Sequence, residues 1–417
     1  MIKKQWCFAV AMGVAASLLA AGCSAPSSES KKPVTLTYWD FLDPSQDNPR
    51  AKALKENIAN FEAANPNIHV QLSVVSLGDM LNRLPQVAAA GQTPDVFKMF
   101  TPVVPQMAAA GAYKPLPDQA TQVTDWLRPP DNLVNGDGKQ VAVPYEYRTC
   151  QLYYNEKILK KIGAQVPTTY DEVVAVAKKA AASGVTGFGT GFSDTDNSAI
   201  IGTFFDCFMS QVGQDIWDKE GKAAFATPKG EEFGKFLTDL RDAKALGSNV
   251  VADSYGTVAD GLANGTVAMA VLGTERAVTF SKTAPDLKWT PLPMASTGDK
   301  TGATIGWTLG IGSGSEHVDA AWKFIEYMTG PKGAAEMATG GEVPTRDITY
   351  KEPYFSTPEA KKVNDIAEYV KSNSKPHTYS DNWTALAAGL SRAGQSLVLQ
   401  GRSGSDFIKS AQDAANK

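Results

Sequence analysis

Histidine, cysteine, long apolar runs and charge of one sign are all scarce in this chain of 417 residues, and each scarcity excludes something. Only three histidines occur, His69, His317 and His377, far apart and without an HExxH, GxSxG, P-loop or paired CxxC motif. Zinc-type hydrolysis, a Ser/His nucleophile and a phosphate-cradling loop therefore lack their usual residues. The stretch from Asp131 to Ala142 fails as a calcium loop, because Leu133 and Ala142 occupy positions that need oxygen ligands. Asp194 and Asp196 suit a loop and a helix cap better than a metal, so no metal and no cofactor is expected. The chain has 40 basic and 44 acidic residues, a net charge of −4. A nucleic-acid partner would require a basic face. Beyond Lys32 no segment approaches the ~18 apolar residues of a membrane span. Internal repeats and low-complexity tracts are absent.

What is present begins at the N-terminus. Lys3 and Lys4 precede an apolar run from Trp6 to Ala21, the pattern of a signal peptide over residues 1–22. Leu18-Leu19-Ala20-Ala21-Gly22-Cys23 resembles the bacterial lipobox, which ends in a lipid-bearing cysteine. Ala20 stands where that pattern prefers leucine, and an ordinary secretory signal with a chance cysteine is the competing reading. Residues 23–33 then form a polar tether able to hold a folded body off a membrane. The expected location is extracytoplasmic, anchored to the cell membrane at Cys23. Cys7 leaves with the signal, so Cys150 and Cys207 remain. An oxidising compartment permits a bridge between them, and sequence does not decide between a disulfide and two buried thiols.

Val34 to Trp39 and His69 to Ser76 alternate as strands, with a helix from Asn48 to Ala64 between them carrying Leu54, Ile58 and Phe61 on one face. A helix from Gly78 to Ala90 and a short strand ending at Phe100 follow. This alternation predicts an α/β fold with a largely parallel sheet. Val141 to Asn155 differs: an apolar entry, Pro144, the polar middle Tyr145 to Arg148, then the strand-like Leu152-Tyr153-Tyr154. Since proline cannot donate to a central ladder, one strand through all of it is not expected. A hinge leaving one sheet and entering another fits better. Ile305 to Ile311 is a candidate second crossing. A chain of this length needs two lobes. Val267 to Leu272 reads as a buried strand, and closing helices run from Pro358 to Ala415.

Several stretches, in this order and spacing, resemble the extracellular solute-binding proteins of bacterial ABC importers, in particular the maltose/multiple-sugar-binding family. They are Leu36 to Asp40 (L-T-Y-W-D), Phe61 to Val70 (F-E-A-A-N-P-N-I-H-V) and Ala88 to Val96 (A-A-A-G-Q-T-P-D-V). Val143-Pro144-Tyr145, Leu152 to Asn155, Asn264 to Met269 and Gly306-Trp307 continue the match, and Ala321 to Ile325 with Val343 to Arg346 complete it. The resemblance implies the two-lobed periplasmic-binding-protein-like fold of type II, with hinge strands between the lobes. Residues 34–146 and 308–357 would make the N-lobe, and 147–307 and 358–417 the C-lobe. It also implies a monomer that binds a carbohydrate in the inter-lobe cleft and closes on it. Delivery to membrane permease subunits, driven by a separate ATPase, would follow.

A sugar shows hydroxyls around its edge and C–H groups on its faces. Asp40, Asp79 and Glu275 can accept hydroxyl protons, and Lys98, Arg148 and Arg346 can donate. Phe41, Tyr145, Phe192, Trp307 and Trp383 can supply faces, with Met99 and Gly306 beside them at strand ends. The family places an aromatic residue at Trp307 and a sugar-contacting arginine near Arg346. Trp307 and Trp383 also suit a hydrophobic core, and Asp79 also suits a helix cap. Family members often carry a tryptophan near Asp79 and a proline–tryptophan pair after Gly273. This chain has Gly78-Asp79-Met80 and Thr274-Glu275-Arg276 instead. Two rival readings stand beside the sugar binder. One is the same fold taking an anionic solute such as a glycerophosphodiester near Lys98 or Gly191 to Ser193; the other is a glycan-active enzyme.

Overall fold

The computed structural model describes residues 32–128, 133–295, 299–375 and 378–417. The expected signal peptide, Cys23, most of the tether, Asp131 and His377 lie outside the described residues. Two sheets organise the rest. The first has the order β2-β1-β3-β10-β4, built from β1 (Val34–Asp40), β2 (Ile68–Val74), β3 (Val96–Phe100), β4 (Ala142–Arg148) and β10 (Ile305–Ile311). β1 runs parallel to β2 and β3, and β10 is antiparallel to both β3 and β4. The second has the order β6-β7-β5-β8, from β5 (Cys150–Asn155), β6 (Thr186–Gly189), β7 (Val267–Gly273) and β8 (Leu287–Thr290). β6 and β7 are parallel, and β5 is antiparallel to β7 and β8. The short β9 (Gly302–Ala303) pairs with β11 (Ser374–Lys375).

Local chemistry sets the element ends. Asn48 accepts from the Ala51 N–H and Pro49 opens the helix Pro49–Ala64, where a missing donor costs nothing. Leu54 and Phe61 on its inner face are buried, and Phe61 meets Phe324 edge-on at 5.0 Å. In the second lobe the core is a chain of aromatic rings: Phe188, Phe204, Phe208, Phe233 and Phe236 pack mostly edge to face. Such pairs add to burial through the ring quadrupoles. The helices Trp383–Leu399 and Gly404–Ala415 close this lobe, and Gly389 lets them approach until its α-carbon faces Ala411 and Ala414.

The chain changes sheet inside the stretch from Val141 to Asn155, as its composition implied, at Thr149, just past the polar middle and two residues beyond the expected lobe boundary at 146/147. Pro144 is tolerated within β4 because β4 is an edge strand, paired only with β10. The register also shifts there: Trp307 faces Glu146 and Thr308 faces Pro144, so Tyr145 is skipped. Edges and bulges are where a strand accepts proline. The return crossing is Thr304, between β9 and β10.

Cys150 and Cys207 form a disulfide with their α-carbons 6.3 Å apart, resolving the alternatives left open above. Cys150 is the first residue after the crossing. Gly302 packs against both Thr149 and the Cys207 sulfur, so the bridge ties the second-lobe ends of the two crossing strands together. No described helix is long and apolar enough to cross a membrane.

Candidate functional site

The parallel strands of both sheets aim their carboxyl ends at one gap, where open α/β sheets leave room for a ligand. A cavity of about 810 Å³ occupies it, within the ~300–1,000 Å³ of small-molecule sites. The first-lobe wall is largely apolar: Phe41 and Leu42 follow β1, Phe100 ends β3, and Leu77 and Leu81 come from the helix Leu77–Ala89. The second-lobe wall is polar, with Tyr255, Glu275, Arg276 and Thr279, and with Thr195, Asp196 and Ser198 on a loop. Arg148, Ile305 and Trp307 reach it from the crossing strands, and Trp383 from the first turn of its helix. Trp307 lies 4.2 Å from Phe41 and 5.4 Å from Phe100, centroid to centroid. The indole N–H groups of Trp307 and Trp383 are buried without a protein partner among the described residues.

Four acids and four bases form one cluster here: Arg50, Arg148, Glu275 and Arg276 line the cavity, and Asp40, Lys98, Glu146 and Glu342 lie beneath them. Arg50 reaches Glu342 at 2.7 Å and Glu146 at 3.4 Å; Lys98 reaches Glu342 at 3.4 Å and Asp40 at 3.8 Å. Arg148 bonds Glu146 through Nε (2.6 Å) and Nη2 (2.9 Å), and reaches across to Glu275 of the second lobe at 3.4 Å. Arg276 lies 3.8 Å from Glu275. The Lys98 amine is fully buried and also faces the rings of Phe41 and Tyr145 at 4.7 and 4.5 Å. Asp40 is held by the Tyr38 hydroxyl (2.6 Å) and the Leu42 N–H (3.0 Å). Burial alone would raise the Glu342 pKa, but the charges of Lys98 and Arg50 outweigh it and hold the carboxyl down at about 2. Glu275 is lowered in the same way: burial opposes ionisation, and Arg148, Arg276 and the Tyr255 hydrogen bond overcome it. Glu146 moves the other way, because burial and the neighbouring Glu342 outweigh its arginine partners.

Of the residues singled out from sequence, Phe41, Arg148, Glu275, Trp307 and Trp383 line the cavity. Asp40, Lys98 and Tyr145 form its buried support, while Met99 is core whose carbonyl accepts from the Thr308 hydroxyl at 3.1 Å. Gly306 contributes backbone: a β-carbon there would lie 1.9 Å from the Glu146 carbonyl oxygen, so only glycine lets β10 sit this close to β4. Three expectations are corrected. Phe192 is fully buried in the second lobe, its ring flat against Gly394. Asp79 is exposed and takes the Ser76 hydroxyl at 2.8 Å at its helix start. Arg346 is outside the lining and pairs with Asp125 through Nε (2.8 Å) and Nη2 (2.7 Å). An anion subsite at Gly191 to Ser193 also has no support, since Ser193 Oγ already accepts the N–H groups of Thr195 and Asp196. Sequence reading missed Arg50, Glu146, Tyr255, Arg276 and Glu342. Only the Glu146-x-Arg148 spacing, two residues on one strand face, signalled one of the pairs. Among the described residues no group of three or more His, Cys, Asp or Glu is arranged to hold a metal.

The model of one protein family, described as bacterial extracellular solute-binding protein, matches residues 46–335. The chain belongs to that family. The members of this solute-binding family are binding proteins rather than enzymes, and the family description puts the chain outside the cytoplasm. A multiple sugar-binding protein of Streptococcus mutans is 26% identical over 334 residues, 76% of each chain. Among solved structures, maltose-bound T. maritima MalE3 superimposes with a TM-score of 0.76 at 23% identity, covering 92% of this chain and 99% of its own. A solute-binding protein of Thermotoga lettingae bound with α-D-tagatose does so with a TM-score of 0.76 at 21% identity, covering 92% and 98%. The two-lobed α/β fold is thus that of the family.

Proposed function

We propose that this chain is the substrate-binding lipoprotein of an ABC importer, which captures a sugar or oligosaccharide between its lobes and hands it to membrane permease subunits served by a separate ATPase. The observation that carries the reading is the pairing of an aromatic wall (Phe41, Phe100, Trp307) with a polar wall (Tyr255, Glu275, Arg276) across one cavity. A sugar ring has the matching two characters, a C–H face and a hydroxyl edge. The charges of the cluster balance, which suits a neutral ligand. The sugar ligands named for the relatives support the same reading. The lobes divide at the crossings, Thr149 and Thr304, a few residues from the bounds 146/147 and 307/308 expected from the sequence, with residues 34–148 and 305–357 on one side and 150–303 and 358–417 on the other. The body works as a monomer tethered through a lipid at Cys23. Because the two walls belong to different lobes, ligand favours the closed arrangement by the difference in its affinity for the two states.

Thermal unfolding against a panel of neutral mono- and oligosaccharides tests this, followed by titration calorimetry on the best compound. At least one sugar should raise the melting temperature, since it binds the folded chain alone. If none does at millimolar concentration while an anionic solute does, the sugar reading is wrong. Labelled palmitate incorporated into the wild-type chain but not into Cys23→Ser tests the anchor.

A further inference from the structure

Arg276 is the one base of the cluster whose side chain makes no hydrogen bond among the described residues. Arg50, Lys98 and Arg148 each contact two acids. The nearest acid to the Arg276 guanidinium is Glu275, at 3.8 Å, and its Nε is buried without a partner. It also opens the helix Arg276–Thr283 at the first position, where a cation opposes the helix dipole. Local helix stability therefore does not explain it. The side chain lines the cavity and is 30% exposed.

The guanidinium is nevertheless held in place. It lies 5.0 Å from the centroid of the Tyr255 ring. Tyr255 is fixed at both ends of its hydroxyl, donating to Glu275 Oε1 at 2.6 Å and accepting from the Gly273 N–H at 3.0 Å. A ring anchored this way presents a flat, negatively polarised face on which a planar cation rests with its fork free.

We propose that Arg276 is a ligand-binding residue that donates from its fork to two adjacent hydroxyl oxygens of a neutral saccharide, with Tyr255 beneath it as a positioning residue. This rests on the saccharide reading above. The fork suits a pair of neighbouring acceptors. Neutrality follows from the surroundings: Glu275 already faces Arg276, the cluster holds as many acids as bases, and Asp196 adds a further acid to the same wall. No uncompensated positive charge remains for a carboxylate or phosphate.

Calorimetric titration of the wild-type chain, Arg276→Gln and Arg276→Lys tests the assignment, with glucose, galactose, maltose and trehalose, their mono-deoxy analogues, and glucuronate. Both variants should lose roughly tenfold or more in affinity for whichever neutral sugar the wild type binds, because lysine keeps the charge but not the fork. Removing one hydroxyl of the contacted pair should weaken the wild type and leave Arg276→Gln nearly indifferent. Melting temperatures without ligand report folding; if Arg276→Gln melts early, Arg276→Lys carries the comparison. Wild-type affinity retained within twofold by a folded variant overturns the proposal, as does tighter wild-type binding of glucuronate than of the neutral sugars. Failure of every sugar to bind the wild type is a different result, and refutes the function proposed above together with this subsite.

Discussion

Replacing Asp206 with asparagine should make this protein more stable, and by an amount that depends on pH. Asp206 opens the helix Asp206–Gln211 beside the disulfide, is 1% exposed, and neither carboxyl oxygen finds a hydrogen-bond partner among the described residues. Burial pushes its pKa from 3.8 up to about 8. The folded chain therefore keeps a proton that the unfolded chain has released, so stability is full below the unfolded value and falls as pH rises through 8. At pH 7 the unfolded group sits about three units above its own pKa, which at ~1.4 kcal/mol per unit costs the fold about 4 kcal/mol. Asparagine has the same shape and does not ionise, and its amide meets the same lack of partners as the protonated carboxyl, so that cost largely cancels between the two proteins. The net gain is about 4 kcal/mol at pH 7. For a chain of this size that raises the melting temperature by about 4–5 °C.

The assay is thermal and urea unfolding of both proteins at pH 5, 7 and 8. Tyr379, whose hydroxyl Asp206 also influences, is raised well above this window and does not titrate in it. The variant should gain on the wild type from pH 5 to pH 8, and the gain at pH 5 should be less than half that at pH 7. An Asp206→Asn melting curve that tracks the wild type with the same offset at all three values would refute the reasoning, because the carboxyl would then not be titrating in the fold.

Four further outcomes are expected. Trp307→Ala should weaken sugar binding by roughly tenfold or more, as both the ligand face and the Phe41 stack are lost; unchanged calorimetric affinity would remove the aromatic wall from the site. Gly306→Ala places a methyl where the Glu146 carbonyl stands, so β10 must move, costing about 1–3 kcal/mol in urea unfolding and weakening binding through the adjacent Trp307. Reducing the Cys150–Cys207 bridge, or changing both to serine, opens a 57-residue loop and should cost about 4 kcal/mol on the chain-entropy model, read by denaturant midpoint with and without reductant. Arg346→Ala removes a partly exposed pair with Asp125; it should cost about 1 kcal/mol and leave sugar affinity within twofold.

The fold was legible where the signal is local. Strand and helix ends in the first lobe follow from periodicity, Asn48-Pro49 and Asn65-Pro66, and β10 follows from its glycine-punctuated apolar run. The sheet change in Val141 to Asn155 was readable too, because a polar middle between two apolar halves has no other economical place. Its position was not. The expected boundary at 146/147 falls inside β4, which carries Pro144 uninterrupted because it is an edge strand opposite a bulge, and whether a strand is central or at the edge is a property of the finished sheet.

The site was harder to read for a related reason. Its hydrophobic half announced itself through aromatics at strand ends, yet the same criterion also selected Phe192, which fills the space over Gly394. Its charged half is assembled from six separate segments, and the pair Arg50–Glu342 spans 292 residues. No spacing rule reaches that far. Such a cluster is also a poor source of net stability, since desolvating each charge offsets most of the attraction, while deleting one member leaves a buried ion uncompensated. Stability therefore does not explain its size. Its placement does: Arg148, on the strand that leaves the first sheet, touches Glu146 in one lobe and Glu275 in the other. The acid that receives it carries Tyr255, and Tyr255 carries Arg276. The charges thus run as one continuous path from the hinge to the polar wall, so the orientation of that wall is set by the same contacts that fix how the two lobes meet.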